Sequence, residues 1–184
     1  MVDIPIPITH FPWGGRNRPA AFARVQGSPE AITFQLWCFE ENPIITCIEP
    51  NSMVCLDSCL EVFLNPFPAL SKDYLNFEMN AAGTLLLQMG PDREHRHFVS
   101  LETSGYPRVQ ACRMPEMWGV ELNVPLSFLR TLYGPDAPAR LENPIGNFYQ
   151  CSGPPAERYG CWKIPNTLKP DFHRPESFVN IPSL

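Results

Sequence analysis

The chain has 184 residues, a formal net charge of −5 and 44% hydrophobic residues, which together indicate a single globular domain over residues 1–184 with its own core. Only 14 residues are lysine or arginine, so an acidic chain of this kind has no field to attract a polyanion, and nucleic acid is excluded as an expected partner. No apolar stretch approaches the roughly 20 residues that a membrane helix needs, so no membrane partner is expected.

Proline and cysteine usage add two constraints. The 22 prolines favour short strands joined by many ordered loops, because proline is poorly tolerated inside helices and central strands. The seven cysteines are an odd number, and several lie in apolar runs where a free thiol behaves as a small hydrophobe. The start of the chain lacks the basic and apolar regions of a signal peptide. We therefore predict reduced thiols and a cytoplasmic protein.

Alternation of apolar and polar residues predicts the elements of the first half of the chain. Residues 1–19 are rich in proline and glycine and are expected to lie as an ordered arm over the body. Strands are then predicted at residues 21–26, 31–40, 59–64, 74–80 and 84–89. On the outer face of the second strand, Trp37 and Phe39 form either a stacking platform or a surface that the arm covers with Phe11 and Trp13.

The second half continues with short strands and one helix. Further strands are predicted near residues 98–102, 109–113, 118–124 and 147–151, with Trp118 in the core. Residues 125–133 are predicted to form a helix, because a proline suits its first turn and Gly134 and Pro135 follow it. After Cys151 the chain is expected to be a long irregular tail. The pattern predicts an all-β fold, a two-sheet antiparallel sandwich of immunoglobulin-like or jelly-roll type with one short helix.

Local motifs of catalysis are missing from the sequence. It has no dinucleotide-binding glycine motif, no phosphate-binding P-loop, no nucleophile elbow and no HExxH zinc motif. Cys55 and Cys59 would lie about 13 Å apart on a strand, which is too far to share a metal. His95 and His97 occur in a charged segment that is either a metal or anion site or a solvated loop.

Polar residues on strand faces are more informative. Glu61 lies on one predicted strand, and Asn76, Glu78 and Asn80 lie at same-face spacing on the predicted neighbouring strand. Carboxylates and amides in fixed positions are the groups that bind hydroxyl-rich ligands. An antiparallel sheet also commonly has one solvated face, on which polar residues need no ligand. Both interpretations stay open on the pattern alone.

Several segments occur in an order that is typical of one family. They are Phe-Pro-Trp-Gly-Gly at 11–15, Asp-Ser-x-x-Glu-x-Phe at 57–63, the strand at 74–80, Asn-Phe-Tyr-Gln-Cys at 147–151 and Asp-Phe-His-x-Pro at 171–175. In this order they resemble the bacterial family 9-like carbohydrate-binding domains. These domains are relatives of the family 9 modules attached to xylanases and, more distantly, of DOMON-type sandwiches. The resemblance covers nearly the whole chain.

The resemblance implies non-catalytic binding of a mono- or oligosaccharide, whose reducing end lies between two tryptophans and is hydrogen-bonded by strand residues. The binding glutamate falls on Glu61, and the polar positions of the next strand fall on Asn76 and Glu78. The second clamp tryptophan falls on Phe172.

The first clamp tryptophan falls on Cys55, so the expected slot has lost one aromatic wall. Either another ring completes it, with Trp162, Tyr149 and Trp37 as candidates, or the ligand differs from that of the relatives. The predicted ligand-binding residues are thus Glu61, Asn76, Glu78, Trp162, Phe172 and His173.

No cofactor is required for this activity, although the relatives' structural calcium ions leave calcium open. The carboxylates in or beside loops are Asp57, Asp73, Asp92 and Asp171. Two other functional classes also stay open. One is a carbohydrate-active enzyme with Glu61 and Glu78 as paired carboxylates. The other is a ligand- or protein-interaction sandwich that has lost sugar binding.

Overall fold

The computed structural model describes residues 4–15 and 17–182. The elements within these residues are, in chain order, β1 (Ile6–Ile8), β2 (Ala21–Gly27), β3 (Ala31–Cys38), β4 (Cys59–Asn65), β5 (Tyr74–Asn80), β6 (Leu85–Gly90), β7 (His97–Phe98), β8 (Arg108–Met114), β9 (Met117–Pro125), α1 (Leu126–Tyr133), β10 (Ile145–Ser152), β11 (Arg158–Cys161) and β12 (Val179–Asn180). Two short 3-10 turns lie at Val54–Leu56 and Pro175–Ser177.

Two antiparallel sheets make up the domain, which confirms the predicted all-β sandwich. The smaller sheet has the strand order β1-β2-β3-β9-β8. The larger sheet has the order β11-β10-β4-β5-β6-β7, and β12 pairs with the start of β10.

The hydrophobic core lies between the two sheets and follows the alternation in the sequence. In β3, every second residue from Ile32 to Cys38 is buried, and the residues between them are partly exposed. In β9, Trp118 and every second residue after it are buried in the same way. Trp118 therefore belongs to the core, as predicted, because side chains on a strand point alternately to its two faces.

The helix α1 packs its apolar residues into the core, and it lies within one residue of its predicted bounds. It begins directly after Pro125 and ends at Gly134, whose φ of 86° is readily adopted by glycine. Among the residues that the structure describes, no helix has the length and hydrophobicity needed to cross a membrane.

The central strands β4 and β5 of the larger sheet are buried on both faces, whereas the smaller sheet leaves one face partly exposed. All seven residues of β4 and all seven of β5 are buried. The outer face of these strands is covered by Trp13 from the arm and by Phe172 and Phe178 from the tail. The polar residues on this face are therefore enclosed, and the solvated-face interpretation is wrong for them.

Three expectations about local structure differ from the fold. The strand predicted at 98–102 is wrong, since only His97–Phe98 pairs and a turn follows, with Gly105 at a φ of 72°. The tail is less irregular than expected, because β11 pairs with β10. The arm contributes a strand as well, because β1 pairs with β2.

Of the two interpretations of Trp37 and Phe39, cover by Trp13 of the arm is wrong. Trp37 stacks on Phe22, with 5.7 Å between the ring centroids, and Phe22 also contacts Phe39. Trp13 instead packs on the larger sheet, where its ring lies 5.7 Å from that of Phe172. Trp13 is in contact both with Tyr159 of β11 and with Phe172 of the tail, so its ring is packed from two sides.

A buried ion pair joins the two sheets at one edge. Glu40, just beyond β3, accepts hydrogen bonds of 2.8 Å from both terminal nitrogens of Arg158 in β11. The indole nitrogen of Trp118 donates to the same carboxylate at 3.0 Å. A bidentate arginine–carboxylate pair is directional, so it sets the position of β11 relative to the smaller sheet.

Candidate functional site

A pocket of about 520 Å³ opens on the outer face of the larger sheet. Its floor is formed by side chains of β4, β5 and β10, which are central strands of the sheet. Its sides are formed by the 3-10 turn at Val54–Leu56, the loop between β6 and β7, residues around Tyr159 in β11, and the tail segment 170–173. Rigid strands thus hold the floor, and four connecting segments shape the sides.

Two glutamates lie side by side on the floor. Glu61 in β4 and Glu78 in β5 are direct cross-strand partners, and their side chains point to the same face. Directly opposed residues of this kind have Cβ atoms about 4.5–5.5 Å apart. Their exposed fractions are only 2% and 6%. Two neighbouring carboxyl groups are thus held in a largely desolvated position at the base of the pocket.

Within residues 4–15 and 17–182, each carboxyl group accepts one hydrogen bond from a side chain. The Cys151 thiol donates to Glu61 Oε1 at 2.9 Å. The amide nitrogen of Asn76 donates to Glu78 Oε1 at 2.9 Å. The remaining lone pairs of both carboxyl groups have no such side-chain bond in the described residues, which leaves them available to a ligand.

The glutamates favour their protonated forms. Burial, together with the neighbouring Glu78, raises the pKa of Glu61 well above its usual value. Burial also raises the pKa of Glu78, to about 7, although the positive charge of Arg96 opposes this shift. Near neutral pH the pair therefore holds at least one proton. A protonated carboxyl group donates a hydrogen bond and an ionised one accepts, which suits a ligand whose hydroxyl groups do both.

Two arginines from the loop between β6 and β7 line the pocket. Arg93 donates to Asp171 Oδ1 through two nitrogens, at 2.7 and 3.0 Å, and so ties the loop to the tail. A terminal nitrogen of Arg96 lies 3.4 Å from Asn76 Oδ1. Between them in sequence, His95 is exposed and bonded to Asp92. In this segment the histidines were considered as site residues from the sequence and the arginines were not, because a loop residue carries no periodic signal.

Aromatic rings form part of the walls, to different extents. Phe172 stacks on Tyr149, with 4.2 Å between centroids and an interplanar angle of 15°, and is only 8% exposed. The Tyr149 hydroxyl donates to the backbone oxygen of Phe172 at 3.1 Å. Phe98 is 52% exposed, and Tyr159 is partly exposed. Of the aromatic residues that line the pocket, Phe98 and Tyr159 are thus more exposed than Phe172.

A family model matches nearly the whole chain. The model for carbohydrate-binding family 9 matches residues 7–182, which include the arm, both sheets and the tail over the pocket. The chain belongs to carbohydrate-binding family 9. This confirms the resemblance found in the sequence segments. Members of the family are non-catalytic binding modules.

Solved structures show the same fold. A candidate carbohydrate-binding protein from Bacteroides uniformis is 24% identical, with a TM-score of 0.82, covering 96% of this chain and 84% of that chain. A family 9 module from Caldicellulosiruptor kristjanssonii in complex with cellotriose is 13% identical, with a TM-score of 0.63 and coverages of 96% and 80%. A family 9 module from the same organism in complex with glucose is also 13% identical, with a TM-score of 0.61, covering 95% of this chain and 81% of that chain. No protein of curated function matches the chain.

In this family 9 domain, most of the predicted site residues come together. Glu61, Glu78, Phe172 and His173 line the pocket. Asn76 lies beside them, fully buried and bonded to Glu78.

Trp162 is placed elsewhere. It packs against Phe148 with 5.6 Å between ring centroids, next to the core between the sheets, with Lys163 over its ring. Trp162 comes directly after the end of β11, where the alternation of a strand no longer predicts which way a side chain points. Its position could therefore not be predicted from the local sequence.

His173 has a clear structural partner. Its Nδ1 atom lies 2.8 Å from the Tyr74 hydroxyl, and its ring packs against Phe63. Burial, with added repulsion from Arg96 and Arg93, lowers the pKa of His173 to about 3. It is therefore neutral at physiological pH and acts as a hydrogen-bonding group without charge.

The first clamp position does lie at the pocket. Cys55, in the 3-10 turn, lines it, although a thiol offers no aromatic face. Of the rings considered as replacements, Tyr149 lies behind Phe172 and Trp37 is on the other sheet. Tyr159 is among the rings that line the pocket.

Three of the four loop carboxylates that were considered for calcium, all except Asp73, accept hydrogen bonds within the described part of the protein. Asp57 accepts bonds from the backbone and hydroxyl of Thr46, the backbone of Cys47 and the amide of Asn80. Burial acts to raise the pKa of Asp57, but these four bonds outweigh it and lower the pKa. Asp92 and Asp171 are bonded to His95 and Arg93. Calcium binding stays an untested expectation.

Proposed function

We propose that this family 9 domain binds a mono- or short oligosaccharide in the pocket above Glu61 and Glu78, without chemical change to the sugar. The observation that carries the proposal is the pair of buried, directly opposed carboxyl groups at the base of a pocket of about 520 Å³. Burying two carboxyl groups in a sheet lowers the stability of the fold. Such costly groups are typical of functional sites, where a ligand forms hydrogen bonds with them.

The other lining groups complement a sugar. Arg93 and Arg96 add hydrogen-bond donors at one side. Phe98 and Tyr159 offer ring surface for the apolar face of a pyranose, where stacking contributes about 1 kcal/mol per ring by analogy with other ring contacts. The solved family 9 modules that hold glucose and cellotriose support glucose-type sugars as the first ligands to test.

The position of the carboxyl groups supports binding without turnover. Glycosidases use two carboxyl groups that flank the scissile bond, one on each side of the sugar. Glu61 and Glu78 are neighbours on the same floor. Incubation with cellobiose and xylobiose is therefore expected to release no monosaccharide, as measured by chromatography, and release would favour the enzyme alternative.

We further propose that the domain functions in the cytoplasm. All seven cysteines are free thiols, including Cys59 and Cys161 inside the protein, and a reducing compartment preserves such thiols. A small soluble sugar fits this location better than a polysaccharide. Immunoblotting of fractionated source cells checks the proposal, and recovery from the extracellular fraction would contradict it.

Isothermal titration calorimetry tests the sugar proposal directly. Glucose, galactose, cellobiose and xylobiose are titrated into the wild type, the Glu78→Gln variant and the Glu121→Gln variant. Glu121 lies on the smaller sheet, so its variant is a matched control. We expect saturable binding of at least one sugar. At pH 8, where Glu78 is mainly ionised, we expect a loss of about tenfold or more in Glu78→Gln, because a hydrogen bond to a charged group contributes about 1.5–3 kcal/mol.

Two results would overturn the proposal. One is the absence of heat with every sugar at millimolar concentration. The other is an equal affinity in the wild type and Glu78→Gln, which would place any sugar elsewhere. The first result would favour the interaction-domain alternative, and the second would keep sugar binding but reject this pocket as its site.

A further inference from the structure

Three groups that can bind a metal converge at the base of the pocket. Cys59 and Cys151 are direct cross-strand partners on β4 and β10, and Glu61 lies two residues after Cys59, so all three side chains point to the outer face. One ligand atom from each lies within 4.8 Å of the other two. This pairing was not visible from the spacing of Cys55 and Cys59, because the second thiol comes from β10.

The separations suit a small tetrahedral ion. Zn²⁺ binds thiolate sulfur at about 2.3 Å and carboxylate oxygen at about 2.0–2.2 Å, so its ligand atoms lie about 4 Å or less from one another. The Cys151 sulfur is already 2.9 Å from Glu61 Oε1. Small rotations about the side-chain bonds would therefore bring all three groups around one ion, with no movement of the strands.

The chemistry of the ligands selects the class of ion. Thiolates favour soft or borderline cations, whereas Ca²⁺ and Mg²⁺ take oxygen ligands. Two sulfurs and one carboxylate match the three-ligand sites in which zinc keeps one position open. Glu61 and Cys151 both line the pocket, so that open position would face the pocket.

Burial makes the three groups hold protons when no ion is bound. Burial raises the pKa of Cys59 to about 12 and that of Glu61 well above its usual value. A hydrogen bond with Cys59, together with burial, raises the pKa of Cys151. A divalent cation can take the place of these protons and supply the positive charge that a buried thiolate requires.

We propose that Cys59, Cys151 and Glu61 form a binding site for one thiophilic divalent cation such as Zn²⁺, with its fourth ligand supplied from the pocket. Binding breaks two S–H bonds and one O–H bond, forms two metal–sulfur bonds and one metal–oxygen bond, and releases three protons to solvent. The protein ligands then carry three negative charges against the two positive charges of the ion. Arg93 and Arg96 lie close enough to influence Glu61 and would offset the remaining charge.

Cobalt titration tests the site without any sugar. The full chain is treated with a chelator, transferred to buffer with a non-coordinating reductant and titrated with Co²⁺, whose thiolate complexes absorb in the near ultraviolet. We expect a sulfur-to-cobalt charge-transfer band that saturates at one ion per chain and disappears when Zn²⁺ is added. The reductant keeps Cys59 and Cys151 from forming a disulfide.

The variants locate the ion. In Cys151→Ser and Cys59→Ser we expect the band to weaken strongly and the affinity to fall at least tenfold. Cys112→Ser is the matched control, because Cys112 is exposed on β8 of the other sheet, and it should bind like the wild type. Circular dichroism shows whether each variant folds. If one of the two serine variants fails to fold, the cobalt titration of the other one tests the site.

The proposal is wrong if the reduced wild type shows no such band, or if the band persists in both serine variants. Because no sugar is present, these results are independent of the sugar proposal. Sugar binding without metal binding would reject only the metal site, and the reverse result would reject only the sugar site.

Discussion

The ionisation of Glu78 makes a quantitative prediction about stability. Its pKa is raised from 4.5 to about 7 in the folded protein, chiefly by burial. The folded state therefore keeps a proton that the unfolded state loses, so the contribution of this group to stability is fully present below pH 4.5 and is lost as the pH rises through 7. At 1.36 kcal/mol per pKa unit, the loss is about 3 kcal/mol.

The Glu78→Gln variant tests this effect, because glutamine stays neutral at every pH and keeps the oxygen that Asn76 bonds. It also removes the charge that raises the pKa of Glu61. The difference in unfolding free energy between variant and wild type should rise by about 3 kcal/mol between pH 4.5 and pH 8 in favour of the variant. For a domain of this size, this corresponds to roughly 6–12 °C in Tm. Urea denaturation at several pH values measures it.

The variant must be compared with the wild type at each pH, because His173 changes the unfolding free energy with pH in the opposite direction to Glu78. Its pKa is lowered to about 3, so its contribution is present above pH 6.5 and is lost as the pH falls toward 3. The two slopes partly cancel in the wild type between pH 4.5 and 6.5. A variant-minus-wild-type difference that is constant from pH 4.5 to 8 would refute the reasoning, and Glu121→Gln should follow the wild-type profile.

Three further outcomes are expected. Arg158→Met leaves the largely buried Glu40 without its charged partner and should lower the unfolding free energy by about 3–5 kcal/mol in urea denaturation, and a loss below 1 kcal/mol would contradict this. Gly146→Ala places a Cβ atom against the backbone oxygen of Phe63 and should cost about 3 kcal/mol in the same assay, which an unchanged midpoint would disprove. Trp162→Phe should leave the affinity for any bound sugar within about twofold by calorimetry, and a larger loss would place Trp162 in the site.

The strands were predictable where their alternation was strong. The β5 strand was predicted at the residues where it occurs, and α1 was predicted to within one residue, because their signals are local. The burial of Asn76 and Glu78 could not be predicted in this way. The segments that enclose their face come from the arm and from residues about 100 positions later in the chain.

The strand residues of the site could be predicted from the sequence, whereas the loop residues that line the sides of the pocket could not. Glu61 and Glu78 are cross-strand partners, a relation that follows once β4 and β5 are taken as neighbours. Arg96 was missed because a loop residue carries no periodic signal. The pairing of Cys59 with Cys151 depends on β10, which lies about 90 residues away in sequence, so it needed the sheet order.

The Glu40–Arg158 pair has a consequence for the evolution of ligand choice. Arg158 points to the inside of the sandwich, while its neighbours Glu157 and Tyr159 line the pocket. Apolar contacts between sheets are non-directional and allow small sliding movements, whereas this pair holds β11 in one position. One side of the pocket is thereby attached to the far sheet. Substitutions near residue 40, remote from any ligand, should therefore alter selectivity, and libraries designed to change it should include both faces of β11.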